Sequence, residues 1–133
     1  MTDTRTVGEL MHPAPVTVRA DAPLKDAARV MDDHHFHGLP VVDAAGGLVG
    51  VLSQTDLVRA RATEHLWARW PGLSVKHLMT SPAVTCRADC PVAEAVQLLE
   101  TKHVHRLIVV DESDRTPIGV FSTSDVVRQL AGA

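Results

Sequence analysis

Aromatic residues are scarce in this chain of 133 residues, which has no tyrosine and only two phenylalanines and two tryptophans. Phe36 and Phe121 are far apart, whereas Trp67 and Trp70 lie together in the middle of the chain. Proteins that bind single-stranded nucleic acid stack bases on several aromatic side chains, which this composition does not supply. The net charge of −3, with no Lys/Arg cluster, also disfavours a nucleic-acid partner.

Long apolar runs are missing as well, so the sequence predicts no membrane-spanning segment. No charged segment followed by an apolar one begins the chain, and we therefore expect no export. The two cysteines, Cys86 and Cys90, are expected to be reduced and structural in such a protein. These features together predict a cytoplasmic protein.

Motifs typical of enzymes are also lacking. The sequence has no Gly-rich P-loop, no G-x-S-x-G elbow and no H-E-x-x-H, and no acid or nucleophile lies outside a repeated pattern. We therefore expect a protein that is not an enzyme. A hydrophobic fraction of 45% without low-complexity segments does predict a packed globular structure.

An internal repeat organises the sequence. Residues 50–56 (GVLSQTD) return as residues 119–125 (GVFSTSD), and residues 7–59 align on residues 75–128 when one residue is added after Gly47. The chain is therefore read as a duplication, divided into residues 1–68 and 69–133. Units of this size are marginal alone, so the two copies are expected to share a core.

The repeated heptad is typical of a strand that ends where a helix begins. Ser53 and Ser122 are placed to cap that helix, and Asp56 and Asp125 follow three residues later. Capping alone explains this pattern. A hydroxyl and a carboxylate beside free helix N–H groups also suit a phosphorylated ribose, and the residues leave both interpretations open.

Each copy is predicted to have the order β-α-β-β-α. Pro23 and Pro91 are expected at the first position of amphipathic helices, and Thr6 and Glu9 form a capping box at the start of the chain. The predicted strands are residues 16–18, 39–43 and 48–53 in the first copy and residues 84–86, 107–111 and 117–122 in the second.

Parallel pairing across the first helix and a hairpin after it predict a small mixed sheet in each copy. The last helix of the first copy is expected to continue through Leu66 and Trp67 until Pro71 and Gly72 end it. The fold class is therefore α+β, with the two sheets expected to pack together about a pseudo-twofold axis.

The marks that occur twice resemble those of a tandem pair of CBS domains, the regulatory module also called a Bateman module. They are the L-M before Pro or Ser, V-T in the first strand, the P-L/V-x-x-A helix, H-x-L-P/I-V-V-D, and G-V-h-S-x-[ST]-D, in which h is an apolar residue. The resemblance covers residues 7–129. It implies a stand-alone regulatory module that binds adenosine-containing ligands: AMP, ADP or ATP, or S-adenosylmethionine or NAD.

The resemblance also implies roles for individual residues. Asp56 and Asp125 would hold ribose hydroxyls, and a His-Arg pair that contacts phosphate in AMP-sensing members matches His105 and Arg106, whereas the first copy has His37 and Gly38. The phosphate side would be lined by Ser53, Thr55, Ser122 and Ser124, and the adenine would be bordered by Val16, Thr17, Val84 and Thr85. The resemblance implies a pair of ligand clefts, which are therefore expected to differ, and the cleft that His105 and Arg106 face is expected to be the better nucleotide site.

Two alternatives remain beside ligand sensing. One alternative is metal binding, because the chain has eight histidines, among them His34, His35 and His37. A closed zinc site usually adds a second spaced pair of ligands, however, and no obligatory cofactor or metal site is predicted.

The other alternative is a ligand-free interaction module. Trp67 and Trp70 share one side of a helix end, and their burial in a symmetric homodimer is expected. The regulated target protein is not encoded in any motif.

Overall fold

The computed structural model describes residues 4–13, 15–66 and 72–132 of the chain. Its residues form two compact units. The first unit comprises residues 16–83, and the second comprises residues 84–133 together with residues 1–15. The sequence repeat divides the chain at residue 68, but the segment that opens each copy belongs to the compact unit that holds the sheet of the other copy. Trp67, Trp70 and Pro71 lie outside the described residues.

The first unit contains a three-stranded mixed sheet made of β2 (Val18–Arg19), β3 (Gly38–Val42) and β4 (Leu48–Ser53), in that order. Strand β2 pairs parallel with β3, and β3 pairs antiparallel with β4. The elements are β2 (Val18–Arg19), α2 (Leu24–His34), β3 (Gly38–Val42), β4 (Leu48–Ser53) and α3 (Gln54–Ala62), followed by short 3-10 helices at Glu64–Leu66 and Val75–His77. The apolar core consists of Val18, Ala27, Met31, Leu39, Val41, Leu52 and Val75.

The second unit contains a four-stranded sheet made of β1 (His12–Pro13), β7 (Pro117–Ser122), β6 (Arg106–Val110) and β5 (Thr85–Arg87), in that order. Strand β5 pairs parallel with β6, and β7 pairs antiparallel with both β6 and β1. The elements are α1 (Val7–Leu10), β1 (His12–Pro13), β5 (Thr85–Arg87), α4 (Val92–Lys102), β6 (Arg106–Val110), β7 (Pro117–Ser122) and α5 (Thr123–Leu130). The core consists of Val7, Val92, Ala95, Leu99, Leu107, Val109 and Phe121.

This architecture confirms the predicted α+β class, the β-α-β-β-α order and the mixed sheets. Strands β3 and β6 are buried at four consecutive residues each, because both of their faces are covered. Strands β4 and β7 have the predicted bounds. The first strands are shifted toward the C-terminus, since β2 begins at Val18 and β5 at Thr85.

The prediction of three strands in each sheet was wrong for the second unit. His12 pairs with Val120 and Pro13 with Gly119, so the segment after α1 adds an edge strand to β7. The first unit has a shorter counterpart, because Thr80 bridges Val51 through hydrogen bonds of 2.8 and 2.9 Å. Two-residue pairings of this kind have no periodicity that a sequence could reveal.

Two helix boundaries also differ from the prediction. Pro23 and Pro91 are N-cap residues rather than the first helical residues. Helix α3 ends at Ala62 instead of continuing through Leu66, because the Thr63 backbone leaves the helical region, with a φ of −111° and a ψ of 16°, and a separate 3-10 turn follows.

Both amphipathic helices end at a histidine in the left-handed region. His35 has a φ of 57° and His103 a φ of 54°. The repeated histidines therefore terminate α2 and α4, a position where glycine is the usual residue. In the described part of the chain, no helix is long and apolar enough to cross a bilayer.

Candidate functional site

The predicted ligand residues of the first copy lie at one end of the first unit's sheet. The start of β3 and the end of β4 are paired there, with Gly38 opposite Ser53. The Gln54 N–H donates to the His37 carbonyl at 2.9 Å, which fixes the start of α3 against the sheet. Val16 and Thr17 immediately precede β2, which runs parallel to β3, so they approach the same end.

The second unit repeats this geometry with its own residues. Arg106 at the start of β6 lies opposite Ser122 at the end of β7, and the Thr123 N–H donates to the His105 carbonyl at 2.9 Å. Strand β5 begins at Thr85, and the Val84 carbonyl accepts from the Ile108 N–H at 3.0 Å. Each sheet end therefore combines a first-strand hydroxyl, a strand-to-helix junction and an acid.

Asp56 closes a capping box at the start of α3. Its Oδ2 accepts from the Ser53 N–H at 2.8 Å and from the Ser53 hydroxyl at 3.0 Å, and its own N–H donates back to that hydroxyl at 3.2 Å. The residue is 7% exposed. These bonds confirm the predicted capping role and hold the carboxylate in one orientation.

Asp125 occupies the equivalent place at the start of α5 and is 5% exposed. Its Oδ2 accepts from the Ser122 N–H at 2.8 Å and from the Ser122 hydroxyl at 3.2 Å. Its Oδ1 also accepts from Arg128 Nη1 at 2.7 Å. The matching ion pair of the first copy, Arg59 Nη1 to Asp56 Oδ1, is longer at 3.6 Å.

The hydroxyls on the first turns of α3 and α5 face solvent. Thr55 and Ser124 are exposed, whereas Ser53 and Ser122 are half-buried. The helix dipole places a partial positive charge at each helix start, which favours a phosphate or another anion, whereas the Gln54 and Thr123 N–H groups already donate to the His37 and His105 carbonyls. Hydroxyl donors at this terminus and a carboxylate beside them supply complementary contacts for an anionic group and for neutral hydroxyls.

The sheet ends of the two copies differ at the start of the second strand. Arg106 is half-buried and, as the cross-strand neighbour of Ser122, shares a face of the sheet with it, while the preceding His105 is exposed. The first copy has Gly38 at the position of Arg106. A permanent cation therefore lies at the sheet end of the second unit and has no counterpart at this position of the first.

The histidines do not form a metal site in the described residues, where no group of three His, Cys, Asp or Glu side chains is arranged to hold an ion. His34 stacks on Phe36 with a centroid separation of 5.2 Å, and its Nδ1 lies 3.0 Å from the Val30 carbonyl oxygen. His77 occupies the N3 position of a capping box, where its Nδ1 accepts from the Ser74 N–H at 3.0 Å. These histidines therefore have structural contacts.

Arg59 and Arg128 are site residues that the sequence interpretation missed. Both follow the acid by three residues on a helix, the spacing at which side chains meet. The signal was present, since D-x-x-R occurs in both copies of the repeat. Arginines on an exposed helix face are common, so this spacing alone does not indicate a ligand site.

The CBS domain profile matches residues 7–63 and residues 75–132. These two segments account for most of the chain and correspond to its two copies. The chain belongs to the CBS-domain family, as a tandem pair.

Solved structures give the same assignment for this CBS pair. CBSX2 crystallised in complex with AMP is 30% identical, covers 96% of this chain and 97% of its own, and superposes with a TM-score of 0.82. A CBS pair crystallised with 5′-methylthioadenosine and S-adenosyl-L-methionine gives a TM-score of 0.88 over 98% of both chains. Because the two sequences are only 24% identical, this similarity supports the fold and nothing further.

Curated relatives include longer enzymes. The inosine-5′-monophosphate dehydrogenase of Methanocaldococcus jannaschii is 32% identical over 114 residues, which is 86% of this chain and 21% of the enzyme. A homoserine O-acetyltransferase of Methanococcoides burtonii is 30% identical over 94% of this chain and 24% of the enzyme. The CBS pair thus spans less than a quarter of the length of these relatives.

Proposed function

We propose that this CBS pair is a regulatory module that binds an adenosine-containing ligand and does not itself catalyse a reaction. The observation that carries the proposal is the recurrence, at the end of each sheet, of a hydroxyl-lined helix start with a buried acid. A capping box requires only one oxygen of that acid, as at Asp56, so the other remains for a ligand. The similarity to CBSX2, which was crystallised with AMP, supports the same ligand class.

The proposed roles follow the chemistry of the groups. Asp56 and Asp125 accept hydrogen bonds from ribose hydroxyls, and the cationic side chain of Arg106, with His105 before it, contacts phosphate. Hydroxyls at the two helix starts line the phosphate side, at Ser53, Thr55, Ser122 and Ser124. The adenine is bordered by residues at the first strands, which are Val16, Thr17, Val84 and Thr85.

AMP is the first ligand to test, followed by ADP, ATP, S-adenosylmethionine and NAD. The regulated partner is a protein whose identity the sequence does not encode, and no nucleic acid is expected as a partner because the net charge is −3. The cytoplasmic location remains a prediction from the sequence.

A thermal-shift series with these ligands, followed by calorimetry, tests the proposal. A ligand at about a hundredfold excess over its Kd adds about 2.7 kcal/mol to the free energy of unfolding, which raises the Tm of a protein of this size by several degrees. Adenine, ribose 5-phosphate and GMP are the matched controls. If no adenosine compound at millimolar concentration changes the Tm or produces heat, the proposed function is wrong.

A homodimer is the second proposal, and exposed apolar side chains on the helices favour it. Val58 and Val127 occupy equivalent positions and are 68% and 66% exposed, and Leu66 and Leu130 are 72% and 80% exposed. Burial of such residues on a second copy would remove apolar surface from water. A groove of about 450 Å³ in the first unit continues this surface and is lined by Ala28, Met31, Asp32, His35, Gln54, Leu57 and Val58.

Sedimentation at micromolar concentration tests the dimer, which is expected at twice the chain mass of 14.3 kDa. A single species at the chain mass would refute it. Sedimentation of a variant with Trp67 and Trp70 replaced by serine tests whether these tryptophans, which lie outside the described residues, form the dimer contact. The paired change Val58→Ser and Val127→Ser asks the same of the exposed helix faces.

A further inference from the structure

The two acids at the helix starts differ in the hydrogen-bonding capacity that they retain for a ligand. A carboxylate offers about four lone-pair positions, two on each oxygen. In Asp56 and in Asp125, the two positions on Oδ2 are occupied by the N–H and the hydroxyl of the capping serine. Any ribose must therefore be held by Oδ1.

Oδ1 of Asp125 is already engaged. Arg128 Nη1 donates to it at 2.7 Å, within hydrogen-bonding distance, while the acid itself is 6% exposed at its side chain. A single lone-pair position therefore remains on this oxygen. A ribose that presents both its 2′ and 3′ hydroxyls can use both positions only if Arg128 moves away.

Oδ1 of Asp56 has a different environment. Arg59 Nη1 is 3.6 Å away, which is an ion-pair distance but too long for a hydrogen bond. Among the described residues, no other group donates to this oxygen. Asp56 therefore keeps two acceptor positions, which is the number required by the vicinal hydroxyls of a ribose.

We infer that Arg128 is a specificity-determining residue, which competes with ribose hydroxyls for Asp125 and makes Asp56 the stronger anchor for the ribose of an adenosine ligand. This inference rests on the proposed function and extends it. Both arginines lie at the same repeat position, and both are largely exposed, at 59% for Arg128 and 69% for Arg59. The expected difference between the two sites comes from the distance between each arginine and its acid, which is 2.7 Å for Arg128 and 3.6 Å for Arg59.

The competition has a modest expected size. Arg128 is 59% exposed, so solvent screens its ion pair with Asp125; such pairs contribute about 0.2–1 kcal/mol, and removal of Arg128 raises the affinity at the Asp125 site by up to about fivefold. The inference also predicts a difference in sugar selectivity. A 2′-deoxyribose has one hydroxyl donor fewer than a ribose. Its affinity should therefore fall more at Asp56, where two acceptor positions are free, than at Asp125, where one is free.

Calorimetry with AMP on the full chain tests the inference in two backgrounds. Asp56→Asn leaves the Asp125 site, and Asp125→Asn leaves the Asp56 site; asparagine still accepts from the capping serine N–H. Adenosine, which lacks the phosphate that Arg106 would contact at the Asp125 site, is used to compare these two changes, and we expect Asp56→Asn to weaken adenosine binding more than Asp125→Asn. Within the Asp56→Asn background, Arg128→Gln is expected to raise AMP affinity by about two- to fivefold. The matched substitution Arg59→Gln in the Asp125→Asn background is expected to have a smaller effect on AMP affinity.

Circular dichroism melts of each variant without ligand establish that it is folded, and 2′-deoxy-AMP provides the second readout. The inference is overturned if Arg128→Gln lowers the affinity or leaves it unchanged, or if Asp125→Asn is the more damaging change. It is also overturned if AMP and 2′-deoxy-AMP are distinguished equally at the two sites. Wild-type protein that binds no adenosine compound would instead refute the proposed function, and the inference with it.

Discussion

Asp56 and Asp125 each combine a structural task with a proposed binding task. The two tasks are compatible because a carboxylate has two oxygens, and the capping serine engages Oδ2. Near-complete burial keeps each carboxylate in a fixed orientation, so little conformational entropy is lost when a ribose binds. The capping interpretation and the ligand interpretation of the repeated heptad are therefore not exclusive.

This dual role leads to a prediction for Asp56→Asn and Asp125→Asn. The asparagine oxygen accepts from the capping serine, whereas its amide nitrogen replaces Oδ1 and cannot accept from a ribose. The stability loss is expected to be about 0.3–1 kcal/mol, and the loss of binding at the altered site to be tenfold or more, since hydrogen bonds to charged groups contribute about 1.5–3 kcal/mol. Unfolding curves and AMP titrations measure the two effects. Unchanged AMP affinity together with large destabilisation would show that the acids are structural only.

The two free cysteines differ in their surroundings. Burial raises the pKa of the Cys86 thiol from 9.0 to about 12, with a smaller contribution from nearby Cys90. The pKa of the Cys90 thiol is also raised, mainly by burial and then by Glu94. Cys86 packs against the core of the second unit.

Because the thiolate is the reactive form, native Cys86 is expected to resist alkylation at pH 8.5, with a thiolate fraction about a thousandfold below that of an unfolded cysteine. Mass spectrometry after iodoacetamide treatment measures this, with denatured protein as the control. The folded state holds the Cys86 proton up to a pH of about 12, whereas the unfolded state releases it near 9.0, so stability falls as the pH rises through this interval. Cys86→Ala should remove that part of the alkaline loss. Native Cys86 reacting as fast as the denatured control would contradict the assignment.

At the scale of secondary-structure elements, the edge segments explain the glycine that opens each repeated heptad. A Cβ on Gly50 would lie 2.7 Å from the Thr80 carbonyl oxygen and 2.9 Å from Met79 Sδ. A Cβ on Gly119 would meet the Met11 thioether first and the His12 carbonyl oxygen at 3.1 Å. Each glycine thus permits close approach of the segment that follows the L-M pair.

Gly50→Ala is therefore expected to destabilise the protein by about 1–3 kcal/mol, because the new methyl group displaces backbone that is hydrogen-bonded to Val51. Gly119→Ala is the matched control and should cost less, since a flexible methionine can rotate away from the new group. Urea unfolding of the two variants measures the difference. A larger loss for Gly119→Ala would show that the methionine contact, rather than the backbone contact, sets the spacing.

Most elements could be predicted because their patterns are long and occur twice. The apolar runs of β3 and β6 and the spacing of α2 and α4 are examples. The edge strand β1 could not be predicted, since a two-residue pairing depends on where distant segments meet. The end of α3 at Ala62 could not be predicted either, since the apolar pattern continues beyond it while the Thr63 backbone leaves the helical region.

The candidate site shows the same limit. The repeated motif predicted which acids and hydroxyls belong together, and the structure places them at the ends of the two sheets. The sequence could not distinguish Asp56 from Asp125, because both are followed by an arginine at the same spacing. The difference lies in two distances, 3.6 Å and 2.7 Å, which depend on side-chain conformation.

At the scale of the whole molecule, the exchange of opening segments makes each copy of the repeat depend on the other. Val7 is fully buried in the core of the second unit, and its N–H donates to the Cys90 carbonyl at 2.8 Å. Val75 is its repeat counterpart, fully buried in the core of the first unit, and its N–H donates to the Ala22 carbonyl at 2.9 Å. A substitution in the opening segment of one copy should therefore destabilise the unit that holds the sheet of the other copy.

Val7→Ala and Val75→Ala test this reciprocal arrangement. Each removes two buried methyl groups and is expected to cost about 1–3 kcal/mol. Hydrogen exchange followed by mass spectrometry should show faster exchange within residues 84–132 for Val7→Ala and within residues 16–63 for Val75→Ala, because each variant lowers the local opening free energy of the core that it joins. The two variants serve as controls for each other. If Val7→Ala accelerates exchange chiefly within residues 16–63, the opening segments fold with their own copies and the exchanged arrangement is wrong.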